Sequence, residues 1–171
     1  LCLESPINAV QEVAILCHQA GMKVLLNNSP FKACLPSSLI DACDILLINE
    51  HELAQLLNIP DKINPSSDWG SISNKLENRG FKCVIVTLGS NGSVVIDLDG
   101  VEYIEALHVH TTDTTGCGDA YMGAILVGLA SGVSLSNSAK MAAVVSAYAA
   151  MSFGAQSSYG TATKIKEAFH L

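Results

Sequence analysis

The sequence predicts an α/β fold: a layered sheet, mostly parallel, with antiparallel hairpin strands towards one side. Three observations carry this. Short runs with an unbroken apolar centre, KVLLN (23–27), DILLIN (44–49) and CVIVT (83–87), alternate with helical segments, as parallel strands covered on both faces do. Two further strand-like runs, SVVID (93–97) and VEYIEALHV (101–109), follow through tight glycine-bearing turns. Finally, hydrophobic residues make up 49% and charged residues 15% of 171 residues, enough apolar surface for one domain with a substantial core.

The elements follow in order. SPINAVQEVAILCHQAG (5–21) reads as a helix, with Ser5 as N-cap, Pro6 in the first turn and Gly21 as the stop. Ile7, Val10, Ala14 and Cys17 fall on one face of it at helical spacing. Strand 23–27, a short helix near 37–42 and strand 44–49 come next. EHELAQLL (50–57) is helical, and the proline-bearing segment 59–70 is a loop. A helix over 71–80 ends at Gly80, and strand 83–87 leads through LGSNG into strand 93–97. The alternation in VEYIEALHV (101–109) predicts more exposed, antiparallel strands here. Three helices close the chain: 118–131 stopped by Gly132, about 135–151 capped by Ser134 or Ser136, and 161–170.

Composition excludes several function classes. The net charge is −7 and no cluster of Lys or Arg occurs, so a nucleic-acid surface is not expected. Backbone amides can still bind phosphate without lysines. The longest apolar runs, such as MAAVVSAYAAM (141–151), are too short to span a bilayer. The opening LCLESP has no basic segment of the kind that begins a signal peptide. The six cysteines form no CxxC pair and lie mostly in apolar context, so reduced, buried thiols in a cytoplasmic protein are expected. The five histidines are scattered away from zinc-ligand spacing. LCLE reads as the end of a buried strand, which leads to the expectation that the chain is part of a longer one.

Three loops carry candidate chemistry, all at or after the carboxyl ends of strands, where ligands gather in such sheets. In DTTGCGDAYMGA (113–124), Gly116, Cys117 and Gly118 let backbone approach a ligand, and the helix that follows offers unpaired N–H groups to an anion. A carboxylate there, Asp119, is a poor phosphate binder but a good acceptor for the proton of a hydroxyl attacking that phosphate. Asp119 as a simple first-turn acid favoured by the helix dipole is an equal alternative. NEHE (49–52) places Asn49 and Glu52 after a strand, where they could hold Mg²⁺ through its waters; a helix capping box explains the same spacing. VTLGSNG (86–92), with Thr87, Gly89 and Gly92, could seat a nucleotide base or ribose, or be an ordinary turn. Neither a Walker A loop nor a GxGxxG occurs.

Taken together and in this order, these stretches resemble the ribokinase-like sugar kinases, the phosphofructokinase B family. DTTGCGDAYMGA resembles the family's Asp-Thr-x-small-small-Gly-Asp signature, NEHE its Asn-x-x-Glu motif, TLGSNG its nucleotide-side glycine turn, and GAQSS (154–158) a loop near its monovalent-cation site. LESP and LLNNSP are similar to the ribokinase branch. The resemblance implies a layered α/β/α fold and an ATP-dependent phosphotransferase acting on a sugar hydroxyl. It implies Asp119 as general base, with Gly116, Cys117 and Gly118 as a backbone anion hole. Asn49 and Glu52 would organise Mg²⁺ and phosphates, and Thr87, Gly89 and Gly92 would border the nucleotide. Asp113, the backbone of Thr115, and Ser158 would hold K⁺.

Two departures matter. Cys117 stands where the family has Ala or Gly; it is small enough to keep the loop, and open to oxidation. The resemblance covers only about the C-terminal half of such a kinase, without the substrate-binding part and its β lid. The chain is therefore expected to be a single domain, 1–171, inactive alone, from an enzyme that is a homodimer at full length and binds ATP and a small sugar, but neither nucleic acid nor membrane. A nucleoside or other small-alcohol kinase of the same fold, and a non-catalytic nucleotide-binding remnant, are the alternatives.

Overall fold

The structure is a computed structural model that describes residues 1–60 and 62–171. The expected loop 59–70 contains residue 61, which lies outside the described residues. The elements run α1 (Ile7–Gln19), β1 (Leu25–Asn27), α2 (Ser37–Asp41), β2 (Ile45–Asn49), α3 (Glu50–Leu57), α4 (Trp69–Glu77), β3 (Val84–Thr87), β4 (Ser93–Asp97), β5 (Gly100–Ile104), α5 (Cys117–Ala130), α6 (Leu135–Ala150) and α7 (Ala162–Phe169). Single 3₁₀ turns occupy Gly89–Asn91 and Gln156–Ser158.

The strands form one five-stranded sheet in the order β1-β2-β3-β4-β5. β1 and β2 pair in parallel, Leu26 opposite Leu46, and so do β2 and β3, with Asn49 opposite Thr87. The connections from β3 to β4 and from β4 to β5 are too short for a parallel crossover, so these two strands return as hairpins. The mostly parallel sheet with antiparallel hairpin strands is thus present. Ahead of β1, Cys2 bridges Asn27 in parallel, and the Leu3 N–H donates to the Ser29 carbonyl at 2.8 Å.

The chain divides into two compact units. The first comprises residues 1–88 and 94–103 and contains nearly all of the sheet with α1 to α4. Its core is built from alternate strand residues, Leu26, Leu46, Ile48, Val84, Val86, Val94 and Ile96, packed with Val10, Ala14, Leu39, Leu53, Trp69 and Leu76 from the helices. The intervening residues Leu25, Ile45, Leu47, Ile85 and Val95 are buried too. Since successive side chains point to opposite faces, both faces of the sheet are covered, which is why these runs have an unbroken apolar centre. Each such side chain contributes about 1.5–3 kcal/mol by burial.

The second unit comprises residues 89–93 and 104–171 and is built on α5 and α6. The two helices approach closely at Gly128, where an added Cβ would overlap the Ser138 hydroxyl and come within 2.8 Å of its Cβ. Tyr121 on α5 is buried and shares a 2.8 Å hydrogen bond with the Ser93 hydroxyl.

Several local expectations change. α1 is capped by Pro6 rather than Ser5, with no side-chain cap bond, because the chain reaches helical geometry only after the proline. α4 starts at Trp69, not 71, because the Asp68 carboxylate accepts the Ser71 N–H at 3.0 Å; it ends at Glu77, before Gly80. β4 is buried along most of its length. β5 stops at Ile104 instead of 109: β4 begins at Ser93, so an antiparallel partner of five residues is used up there. The six cysteines are unpaired, but five are half-buried and Cys34 is exposed, because Cys34 lies in the loop before α2 rather than in an element that packs on the core.

Two glycines on α5 should respond oppositely to alanine. Gly128→Ala forces α5 and α6 apart and should cost about 1–3 kcal/mol, a loss of several degrees in thermal midpoint. Gly123→Ala meets nothing within 4 Å and should stabilise by about 0.5–1 kcal/mol through helix propensity. Denaturant melts of both variants check this; equal effects would remove the close contact as the reason for Gly128.

Candidate active site

The stretch 113–119 is shaped by its backbone. Gly116 is the N-cap of α5 with φ +78°, a conformation that side chains resist. Space closes the position as well: an added Cβ would lie 2.6 Å from the Tyr159 hydroxyl and 2.8 Å from Ala155 Cα. Gly116 has no side chain to cap the helix, so the first-turn amides depend on other partners. The Cys117 N–H reaches the Thr114 carbonyl at 3.2 Å and the Ala120 N–H the Gly116 carbonyl at 2.9 Å. Those of Gly118 and Asp119 have no preceding helical turn to donate to. Gly118 is exposed and an added Cβ would meet nothing within 4 Å, so the mouth of α5 is open over its amides.

Asp119 sits in this first turn, exposed, and its carboxylate makes no hydrogen bond or ion pair with any described residue. That separates it from the first-turn acids that serve as caps. Its charge contributes, after desolvation, to holding the Tyr159 phenol above its ordinary range.

Asp113 organises the loop. Its Oδ1 accepts from the Thr115 N–H (2.9 Å) and hydroxyl (2.8 Å), and its Oδ2 from the Gly154 N–H (2.8 Å). These donors, Gly154 first, hold its carboxyl below the usual carboxylate range. The Thr112 N–H donates to the Ala150 carbonyl at 2.8 Å, and the Tyr159 hydroxyl to the Gly116 carbonyl at 3.1 Å. The segments 111–119 and 150–159 are therefore tied at several points. Ser158 is buried, and its hydroxyl donates to the Ala155 carbonyl at 2.7 Å. Cys117 is half-buried, and desolvation pushes its thiol up. That lowers the reactive thiolate fraction, against the expectation of easy oxidation.

In the sheet unit, Asn49 and Glu52 form a full capping box at the start of α3. The Glu52 N–H donates to Asn49 Oδ1 (2.9 Å), and the Asn49 N–H to Glu52 Oε2 (2.8 Å). Desolvation raises the Glu52 carboxyl, partly offset by the Asn49 N–H. Thr87 ends β3 directly opposite Asn49 in the register. Gly89 opens a 3₁₀ turn, and Gly92, with φ +89°, is packed so that a Cβ would overlap the Ile104 carbonyl oxygen. The structure thus brings Asn49, Glu52 and Thr87 together at neighbouring strand ends of the first unit. In the second unit it brings Asp113, Thr115, Gly116, Cys117, Gly118 and Asp119 together in one turn, whose partner loop carries Ser158.

Two residues of this arrangement escape sequence reasoning, Tyr159 and Ser146, while Gly154 lies in the GAQSS loop that the resemblance places near the cation site. The Ser146 hydroxyl, on α6, donates to the Cys117 carbonyl at 3.1 Å. Ser146 was legible only as a polar residue inside the apolar run AAVVSAYAA. Tyr159 was legible only as the neighbour of Ser158.

Among the described residues, no group of three or more His, Cys, Asp or Glu side chains could hold a metal ion, and no helix is long and apolar enough to cross a membrane.

Comparison with known proteins fits this geometry. The family described as pfkB family carbohydrate kinase matches residues 1–162. Ribokinase of Schizosaccharomyces pombe is 34% identical over 171 residues, covering 99% of this chain and 54% of the relative; deoxyribokinase of Salmonella typhi is 28% identical over 98% and 54%. Arabidopsis thaliana ribokinase, solved with ribose and ATP, superposes with a TM-score of 0.90 at 26% identity, over 100% of this chain and 55% of that one. Ribokinase from Cryptococcus neoformans, solved with ADP, gives 0.83 at 26% over 98% and 59%. The chain spans about half the length of these relatives. On the family match and on this fold, the chain belongs to the pfkB family of carbohydrate kinases.

Proposed function

We propose that the chain carries the nucleotide-side catalytic part of an ATP-dependent kinase that phosphorylates a sugar hydroxyl. The observation that carries this is Asp119: an exposed carboxylate in the first turn of α5 with no partner among the described residues, beside amides left free by a glycine cap. Asp68 and Glu52 use their carboxylates to cap their own helices, whereas Asp119 keeps both oxygens open. The ATP and ADP complexes of similar ribokinases support the nucleotide.

In this reading the oxygen of the sugar hydroxyl bonds to the γ-phosphorus as the bond to the β–γ bridging oxygen breaks. ADP leaves, and the hydroxyl proton passes to Asp119. The amides of Gly116, Cys117 and Gly118 meet the charge on the transferring phosphoryl oxygens, that of Cys117 by leaving the Thr114 carbonyl to which it donates at 3.2 Å. Such transfer is loose, so the proton departs late and positioning dominates. An ordinary carboxylate suffices as base.

In the sheet unit, Asn49 and Glu52 are proposed to organise phosphates and Mg²⁺. Their capping box engages only one carboxylate oxygen of Glu52, and a half-buried carboxylate suits a hard, hydrated cation. Mg²⁺, when bound, supplies neutralising charge for the phosphate oxygens. Thr87, Gly89 and Gly92 are proposed to border the nucleotide. Asp113, the Thr115 carbonyl and the Ser158 hydroxyl are an all-oxygen set suited to K⁺, which supplies positive charge when bound. Full-length association as a homodimer and a cytoplasmic setting belong to the same proposal.

Two outcomes test the core of it in the full-length enzyme, with D-ribose as acceptor. Asp119→Asn should lower kcat by roughly 10³-fold while the KM for MgATP stays within about threefold; steady-state kinetics showing retained turnover would sink the role of Asp119. Gly118→Asp has room for its side chain but sets a negative charge in the anion site. It should weaken MgATP binding by about tenfold or more with the fold intact. Calorimetry finding parental affinity would be incompatible with an anion hole there.

A further inference from the structure

Two hydroxyls lie behind the turn that carries the proposed anion hole, one from α6 and one from the loop after it. Ser146 Oγ donates to the Cys117 carbonyl at 3.1 Å, and Tyr159 Oη to the Gly116 carbonyl at 3.1 Å. These carbonyls belong to two successive peptide units, 116–117 and 117–118. In a planar trans peptide the C=O and N–H point in opposite directions. Gripping the Cys117 carbonyl therefore fixes the direction of the Gly118 N–H; gripping the Gly116 carbonyl steadies the preceding peptide unit, whose Cys117 N–H is held by the Thr114 carbonyl at 3.2 Å. The Gly116 carbonyl already accepts the Ala120 N–H at 2.9 Å, so its second acceptor site is filled by Tyr159. A donor on a carbonyl also polarises the whole amide and strengthens its N–H towards an anion.

Neither hydroxyl is required by the packing of its own element. Tyr159 is 40% exposed, so its ring is not a core anchor. Ser146 is a lone polar residue in the apolar stretch of α6, half-buried, and its hydroxyl reaches across to α5 rather than back into its own helix. Gly116 excludes any side chain that would displace the Tyr159 hydroxyl.

We infer that Ser146 and Tyr159 are positioning residues of the phosphoryl-transfer site, holding two successive peptide units from behind so that the Gly118 amide is fixed for the anion that develops in front. The inference rests on the proposed function above. Because fixed dipoles matter most where charge develops during reaction, the effect falls on kcat rather than on ground-state binding.

The test is steady-state kinetics of the full-length enzyme with MgATP and D-ribose for Ser146→Ala, Tyr159→Phe, Ser146→Thr and Asp119→Asn. Each hydroxyl deletion should lower kcat by about tenfold with the KM for MgATP within about twofold, at a thermal midpoint close to the parent's. Ser146→Thr, which keeps the hydroxyl, should recover most of the rate. Parental kcat in both deletions, or a rise in KM with kcat unchanged, would overturn the positioning role. Asp119→Asn separates the two levels. An inactive Asp119→Asn beside fully active hydroxyl variants overturns only the inference; an active Asp119→Asn overturns the reading of the site on which it rests. A variant that melts early is set aside, and the other hydroxyl then decides.

Discussion

The turn before α5 depends on one backbone constraint, the left-handed conformation of Gly116. With φ at +78° and Ala155 and Tyr159 packed where a Cβ would stand, no other residue fits without strain from both sources. That single conformation starts α5 abruptly, without a capping side chain, and leaves the amides of Gly118 and Asp119 to outside partners. The small residues on either side follow from the same need. The hydrogen bonds of Asp113, Tyr159 and Ser146 are three ways of holding what Gly116 permits.

The two acidic turn motifs make an instructive contrast. Asn49 and Glu52 satisfy each other across the start of α3, so a local explanation for their spacing is complete in the structure. Asp119 occupies the corresponding third position of α5, but its N-cap is a glycine with no side chain to complete a box, and its carboxylate accepts no bond from the described residues. The same rule of helix capping therefore accounts for one carboxylate and leaves the other over. It is the unexplained one that the chemistry of phosphoryl transfer can use.

Much of the fold was legible because the sheet is buried on both faces. Continuous apolar runs marked β1, β2 and β3 without ambiguity, and α3 and β4 fall on their expected bounds. What was not legible depended on partners. The end of β5 is set by where β4 begins, which no pattern within 101–109 contains. The start of α4 depends on the Asp68 carboxylate turning back on the chain, and that of α1 on Pro6. In the site, spacing within DTTGCGD was enough to group Asp113 to Asp119. The loop that begins at Gly154 was reached only through the resemblance, and Ser146 enters through a contact between residues 29 positions apart, for which a single sequence holds no signal.

Asp113 gives the tie between the two loops a particular response to acid. Its carboxyl is held low by the Gly154 amide and by Thr115, so it binds a proton less readily folded than unfolded. The stabilisation from these three bonds is therefore fully present above the carboxyl's ordinary range and constant around neutrality. It is lost only as the pH falls through the depressed folded value, when protonation removes the acceptor charge. The loop pair is thus fastened in part by a charge that fluctuations in acidity around neutrality leave untouched, beside the uncharged ties of Thr112 and Tyr159.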